Sequence, residues 1–255
     1  MSIFTAVDSY GDPSSIVRYL DRRADAASRM KHYVAAAHAR HDPHGRVLDL
    51  GCGVGHDLIL LNGAGLTAVG VDPSAILLAE ATKRIDVTRS SLIRADGESL
   101  PFPESSFDGC RIERVLMHVV DPSVVLAEVV RCVCPSGLIT VFEPDWSRFS
   151  VREDSGDVSS GWIAGQRHPD IGGDLWRLVE EAGCKVVDRV EELSIWRSLE
   201  ALDEVIGLED SVRRAVEQGR IDANEADQWV QRQRARQARS EFLAFATKVL
   251  IVATR

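Results

Sequence analysis

A run of glycines flanked by acids holds most of the chemistry that this sequence offers. Val47-Leu48-Asp49-Leu50-Gly51-Cys52-Gly53-Val54-Gly55 is an apolar stretch that carries one carboxylate and then breaks into alternating glycines. Glycines so placed let a backbone turn sharply and lie against a ligand without interference from Cβ. A dinucleotide fingerprint requires Gly-x-Gly-x-x-Gly, and His56 stands where its third glycine belongs. The pattern from Asp49 to Gly55 is instead Asp-x-Gly-x-Gly-x-Gly. A carboxylate beside the loop repels a pyrophosphate and attracts an ammonium, which favours a ligand with adenosine at one end and a positively charged amino acid at the other. Asp72 follows Asp49 by 23 residues, the spacing at which an acid closing the next strand reaches the ribose hydroxyls of a nucleotide. Asp96-Gly97-Glu98 sets another acid at the edge of a third strand.

These residues need strands that end at one edge and helices that return the chain. Val47 to Leu50 read as a buried strand, and a helix follows through Leu58-Ile59-Leu60-Leu61 until Asn62-Gly63. Strand, loop and helix form the first half of a βαβ unit. Thr67 to Val71 make a second strand, Pro73-Ser74 open a helix, and Ser91 to Ala95 make a third strand. Phe107 to Ile112 form a fourth, Asp121-Pro122 cap the next helix, and Pro135-Ser136-Gly137 turn into a fifth strand, Leu138 to Phe142. Ser147 to Ile171 are loop-like, Asp174 to Ala182 helical, Lys185 to Trp196 a strand, 198–240 helical, and Phe242 to Thr254 a last strand. This order predicts an α/β fold: a Rossmann-like, doubly wound, seven-stranded, mainly parallel sheet. Residues 1–45 read as a helical arm that packs on the outside or folds over the cleft, and 46–255 as the main domain with a helical cap inserted at about 198–240.

Composition narrows the partners. The 255 residues suit one α/β domain with an elaborated cap, and a net charge of −9 disfavours a phosphate backbone as substrate. The alternation Gln231-Arg232-Gln233-Arg234-Ala235-Arg236-Gln237-Ala238-Arg239 sits among helix formers and reads as a solvated helix face rather than a nucleic-acid patch. Cys132-Val133-Cys134 lacks partners at zinc spacing, so no metal is expected. The remaining cysteines read as buried small hydrophobes in a reducing compartment. No leader and no apolar run of membrane length is visible. The expectation is a cytoplasmic protein with no nucleic-acid and no membrane partner; a homodimer stays open.

Taken together, the Val47–Gly55 run, Asp72, the Asp96-Gly97-Glu98 loop with Leu100-Pro101-Phe102, the segment Arg114-Val115-Leu116-Met117-His118 with Asp121-Pro122, and Pro135-Ser136-Gly137 make the chain resemble a class I S-adenosylmethionine-dependent methyltransferase. The narrower likeness is to the group holding the ubiquinone and menaquinone methyltransferases and many natural-product tailoring enzymes. It covers residues 46–146 in order, and the final strand fits that family's antiparallel seventh. The resemblance implies that Gly51, Gly53 and Gly55 line the loop under the methionine part, with Asp49 behind it. It implies that Asp72, followed by Pro73, accepts the ribose hydroxyls, that Asp96 takes the adenine amino group with Gly97 against the ring, and that Glu113 and Arg114 lie near the methionine end. His118 would face the reaction cleft. Ser136 departs from the family's usual Pro-Gly-Gly in a turn remote from the cofactor. The competing structural roles are a helix N-cap for Asp72, a turn acid for Asp96 and a packed helix residue for His118.

Methyl transfer from a sulfonium is an in-line displacement in which the protein chiefly aligns the reacting atoms. If the acceptor needs a base, His118 is the first candidate because an ordinary imidazole titrates near neutrality, with Glu143, Asp145 and His168 behind it. Tyr10, Tyr19, Trp146 and Trp162 are candidates for the acceptor side, as is His168, each with core packing as the plain alternative. The long insertion before the last strand suggests a lid over a small organic acceptor, methylated on O, N or C, with S-adenosylhomocysteine as product. The alternatives are an S-adenosylmethionine-binding enzyme of non-methylating chemistry and a non-catalytic binding module.

Overall fold

The computed structural model describes residues 7–9, 12–22, 29–153 and 166–255. Short apolar runs pair in parallel to make its centre. β1 (Arg46–Leu50) lies between β2 (Thr67–Asp72) and β4 (Phe107–Glu113), and β3 (Ser90–Arg94) lies beyond β2. β5 (Val133–Val151) continues parallel to β4, and β7 (Ala244–Thr254) inserts antiparallel between β5 and β6 (Lys185–Trp196). The order β3-β2-β1-β4-β5-β7-β6 is the expected seven-stranded sheet with β7 alone reversed. Strand order reverses between β1 and β4, the switch point at which such sheets leave a crevice beyond their carboxyl ends.

The period of two along β1 divides the core. Leu48 and Leu50 join Val69, Val71 and Ile112 in a cluster with Val125, Leu126 and Val129 of α5 (Pro122–Cys132). Val47 joins Ala68, Ala35 of α2 (Arg29–His41), and Leu58 and Leu61 of α3 (His56–Gly63) on the other face. Asp49 shares the side of Val47, which directs its carboxylate toward the α2 and α3 layer. Asp121 caps α5 by accepting from Ser123 N at 2.9 Å, with Pro122 in the first turn, as its sequence indicates.

The fifth strand is longer than expected. Instead of ending at Phe142, β5 crosses a bulge after Asp145, and Ser150 and Val151 pair with Phe245 and Ala244. Ser147, Arg148 and Ser150 have loop-like side chains, but ladder bonds use the backbone, and the bulge admits the polar residues without ending the pairing. α6 (Ile171–Glu181) then packs on β5, and the cap consists of α7 (Leu199–Ile206), α8 (Leu208–Glu217) and α9 (Ala223–Ala238). In α9, Ala226, Trp229, Gln233 and Arg236 turn inward while Arg232, Arg234 and Arg239 beside it are exposed. Before β1, Val7 and Ile16 of the arm pack on Val54 and Leu77, the latter in α4 (Ala75–Thr82). Ile16 lies in α1 (Pro13–Arg22). Tyr10 and Trp162 fall outside the described residues. Among the described residues, no helix is long and apolar enough to cross a membrane.

Candidate cofactor and acceptor site

The glycine loop leaves β1 at the switch point. Gly51, Gly53 and Gly55 have φ of 73°, 52° and 84°, a region that side chains rarely tolerate. Gly51 N and Cys52 N both donate to Val71 O, at 2.8 and 3.0 Å, which folds the loop across the end of β2. A Cβ on Gly51 would collide with Val115, and one on Gly53 would lie 3.6 Å from Leu20 of α1. The arm therefore lies directly against the loop. Asp72 closes β2, buried, and accepts from Gly53 N at 3.0 Å and from Ser74 N at 2.9 Å. Burial raises its pKa to about 6 against those two bonds. Asp72 is not the helix cap: Ser74 is, accepting from Leu77 N at 3.2 Å. Asp8 reaches the same helix end from the arm, accepting from Ser74 Oγ at 2.5 Å and Ala75 N at 3.0 Å. Pro73 O accepts from Arg94 Nε at 2.9 Å.

Asp96 is exposed just past β3 and accepts from Glu98 N at 3.0 Å, so it does serve as a turn acid. A Cβ on the neighbouring Gly97 would sit 3.5 Å from Leu50 and Val125. Glu98 ties this loop to the start of α5 by accepting from Val120 N and Asp121 N, each at 3.2 Å.

Asp49 meets a partner that nothing in its own stretch of sequence indicates. Asp49 and Arg111 are register partners on β1 and β4, and Arg111 Nη1 donates to Asp49 Oδ1 at 2.7 Å. The other guanidinium nitrogen contacts Asp57 Oδ2 at 2.8 Å and Glu113 Oε2. Lys31 of α2 donates to both oxygens of Asp57, at 2.9 and 2.8 Å. Burial pushes the Asp49 carboxyl up despite Arg111. In Asp57, Arg111 and Lys31 outweigh burial and hold the carboxyl low. The carboxylate beside the loop is thus largely neutralised through Oδ1, while Oδ2 has no hydrogen-bond partner among the described residues. A charged residue inside the apolar β4 is the one local signal of this network; Lys31 carries none.

Just past β4, Arg114 has φ 56°, and the turn after it is held by Glu143, whose Oε1 accepts from Val115 N at 2.8 Å and Leu116 N at 2.7 Å. Glu143 is fully buried, which raises its pKa to about 8. His118 is buried too, and desolvation, with Arg114 adding to it, lowers its pKa to about 4. Asp145 accepts from Ser147 N at 3.1 Å and pairs with Arg148 at 3.1 Å. His168 Nε2 lies 3.2 Å from Val119 O, and the Trp146 indole, buried, packs edge-on against Phe149 at 5.8 Å. Tyr19 Oη donates to Val205 O at 2.9 Å, joining the arm to the cap. His56 Nε2 meets Asp21 of the arm at 2.9 Å.

A doubly wound sheet with a glycine loop at its switch point and acids closing β2 and following β3 defines a nucleotide-binding α/β protein. Residues 48–141 match the family described as "Methyltransferase domain". The chain is 33% identical over 249 residues to an uncharacterised 37.1 kDa protein in transposon TN4556 of Streptomyces fradiae, covering 93% of this chain and 70% of that one. It is 34% identical over 99 residues to a demethylmenaquinone methyltransferase of Clavibacter sepedonicus, covering 38% of this chain and 40% of that one. The chain spans 39–52% of the length of several methyltransferase-named relatives that it matches. A putative methyltransferase from Bacillus halodurans C-125 shares the fold, with a TM-score of 0.64 at 15% identity over 88% of this chain and 97% of that one. The chain belongs to the class I S-adenosylmethionine-dependent methyltransferases, whose cofactor is S-adenosylmethionine. One observation agrees with a zwitterionic amino-acid end: Asp49 Oδ2 and Arg114 Nε are a buried acceptor and a buried donor without hydrogen-bond partners among the described residues.

Proposed function

We propose that the protein transfers a methyl group to a small organic acceptor, on O, N or C, in the tailoring of a metabolite. The observation that carries this reading is the closure above the switch point. The arm lies on the glycine loop through Leu20, and Tyr19 joins it to α7 of the cap through Val205 O at 2.9 Å. Such a cover suits a molecule taken in whole better than a nucleic acid or protein surface. Bound S-adenosylmethionine supplies a methyl carbon already activated by its sulfonium and leaves as S-adenosylhomocysteine.

The chain's own part is placement. Gly51, Gly53 and Gly55 let the backbone approach the methionine part, Asp72 and the following Pro73 serve the ribose, and Asp96 with Gly97 serves the adenine. Glu113 and Arg114 serve the amino-acid end. Holding nucleophile and methyl in line is worth roughly 7–11 kcal/mol. His118, neutral above about pH 4, accepts a hydrogen bond from the acceptor and orients it, and an acceptor that needs a strong base is disfavoured. Tyr19, Trp146 and His168 contribute to the acceptor side. The test is mass spectrometry of small-molecule pools incubated with the protein and S-adenosylmethionine. A one-methyl gain in an organic metabolite is expected; methylated RNA or protein with no labelled small molecule overturns the reading. With the acceptor identified, a His118→Ala turnover within about twofold of wild type would remove His118 from the reaction.

A further inference from the structure

β6 ends the sheet, and among the described residues no strand pairs with its outer edge. Such an edge presents a row of unpaired backbone groups, which monomeric proteins blunt with short strands, prolines, lysines or bulges. β6 does little of this. It is 12 residues long without proline or glycine, and Lys185, its one lysine, stands at its beginning. The one irregularity in its pairing falls at Val187, and from Asp188 to Trp196 the ladder with β7 is unbroken. Val187, Leu193 and Ile195 are each more than half exposed. Large apolar side chains along an open edge mark an interaction surface.

Charge indicates what covers it. Arg189 and Glu191 lie two residues apart, hence on one face of the strand, and Arg189 Nη2 is 2.5 Å from Glu191 Oε1. A strand with this pair is its own complement. Laid antiparallel against a copy, with Val190 opposite Val190, it sets each Arg189 across from the other copy's Glu191. The two neighbouring registers set Arg189 against Arg189 or Glu191 against Glu191, and like charges directly opposite are destabilising. In the favoured register Leu193 comes beside Val187 of the second copy, twice by symmetry. Asp188 and Glu192 then meet on the opposite face, where each has a local counterpart. Tyr33 Oη donates to Asp188 at 2.7 Å, and Glu192 stands in register with Lys248 of β7.

We propose that the protein is a homodimer in which β6 of two copies pair antiparallel about a twofold axis at Val190, so that the two sheets run on as one. The contact is isologous, the commonest kind in soluble oligomers. Backbone ladder bonds hold the copies together, and the Arg189–Glu191 pairs fix their register. Three strands separate β6 from β1, so the pairing leaves the glycine loop of each copy clear.

Sedimentation velocity on the intact chain tests this. Wild type should sediment as a dimer at micromolar concentration. A monomer at every concentration up to about 100 µM overturns the proposal and leaves the edge to a strand of some other protein. Arg189→Glu sets two carboxylates against each other on both sides of the axis and should weaken the dimer by about tenfold or more. The double exchange Arg189→Glu with Glu191→Arg puts opposite charges back across the axis and should restore the dimer. A dimer indifferent to Arg189→Glu, or one that the double exchange does not recover, overturns the proposal, because the copies then meet elsewhere or in another register. All these positions are exposed, so the variants should melt as wild type does. Should a charge variant fail to fold, Leu193→Lys decides: an undiminished dimer overturns the proposal, and a weakening of about tenfold supports it.

Discussion

Around β1 and β4, charged groups are sealed inside the protein in mutually neutralising contacts, whereas β6 and the cap helices are held by apolar stripes. Arg111 lies among three carboxylates with 5% of its side chain exposed. The cap packs mainly through Leu202, Leu208, Ala215 and Trp229, with Gln233 and Arg236 of α9 as buried polar exceptions, and β6 leaves Val187, Leu193 and Ile195 exposed at the sheet edge. A buried charge network tolerates little change because each member depends on the others. An apolar stripe tolerates many sequences of the same period. The region around β1 and β4 is therefore constrained residue by residue, while β6 and the cap are free to vary their surface without losing the fold.

The sharpest way to break this contrast is Arg111→Met. It leaves Asp49 and Glu113 buried without their main counter-charge, and urea denaturation should show a loss of about 3–5 kcal/mol. A loss below about 1 kcal/mol would mean that the cluster neutralises itself by protonation instead. Next comes Glu143→Gln, which keeps an oxygen for Val115 N and Leu116 N. The wild-type carboxyl is raised on folding from 4.5 to about 8, so the folded state binds its proton more tightly. Stability from this group is therefore highest at low pH and falls as pH rises from about 4.5 to about 8. The glutamine variant should lack that fall, a difference on the order of 2–5 kcal/mol between about pH 5 and about pH 8. Parallel pH profiles for the two proteins would show that Glu143 stays ionised.

Asp72→Ala should weaken S-adenosylhomocysteine binding by about 1.5–3 kcal/mol by calorimetry, through loss of the proposed ribose contact and of the bond that holds the Gly53 amide. Unaltered affinity would remove Asp72 from the cofactor site. The smallest effect belongs to the other half: Tyr19→Phe removes one hydrogen bond to the cap and should lower stability by only ~0.5–1.5 kcal/mol. Hydrogen exchange should then quicken in α1 and α7 while β1 to β4 keep their protection. Uniform loosening would mean that arm and cap are part of the central core.

Much of this contrast is legible in the amino-acid sequence. Val47–Gly55, Asp72 and Asp121-Pro122 are local signals, in which strand period, turn glycines and caps act within a few residues, and each falls where its strand or helix ends. The length of β5 is hidden because Ser147, Arg148 and Ser150 look like loop, and the pairing partners Phe245 and Ala244 lie almost a hundred residues away. The helix cap by Asp8 is hidden for the same reason: Ser74 and Ala75 are 66 and 67 residues distant. His118 shows the limit for a residue whose position is evident from its motif, since the burial that lowers its pKa to about 4 comes from neighbours the motif does not name.

The sequence by itself determined the order of strands and helices, the glycine loop and the acids that follow the strands, because these depend on backbone freedom and short-range periodicity. Only the tertiary structure decided what those acids do. It set Arg111 across from Asp49 by strand register, brought Lys31 from an earlier helix to Asp57, and sealed Glu143 and His118 away from water. Charge, desolvation and hydrogen bonding depend on neighbours in space, and distance along the chain does not reveal them.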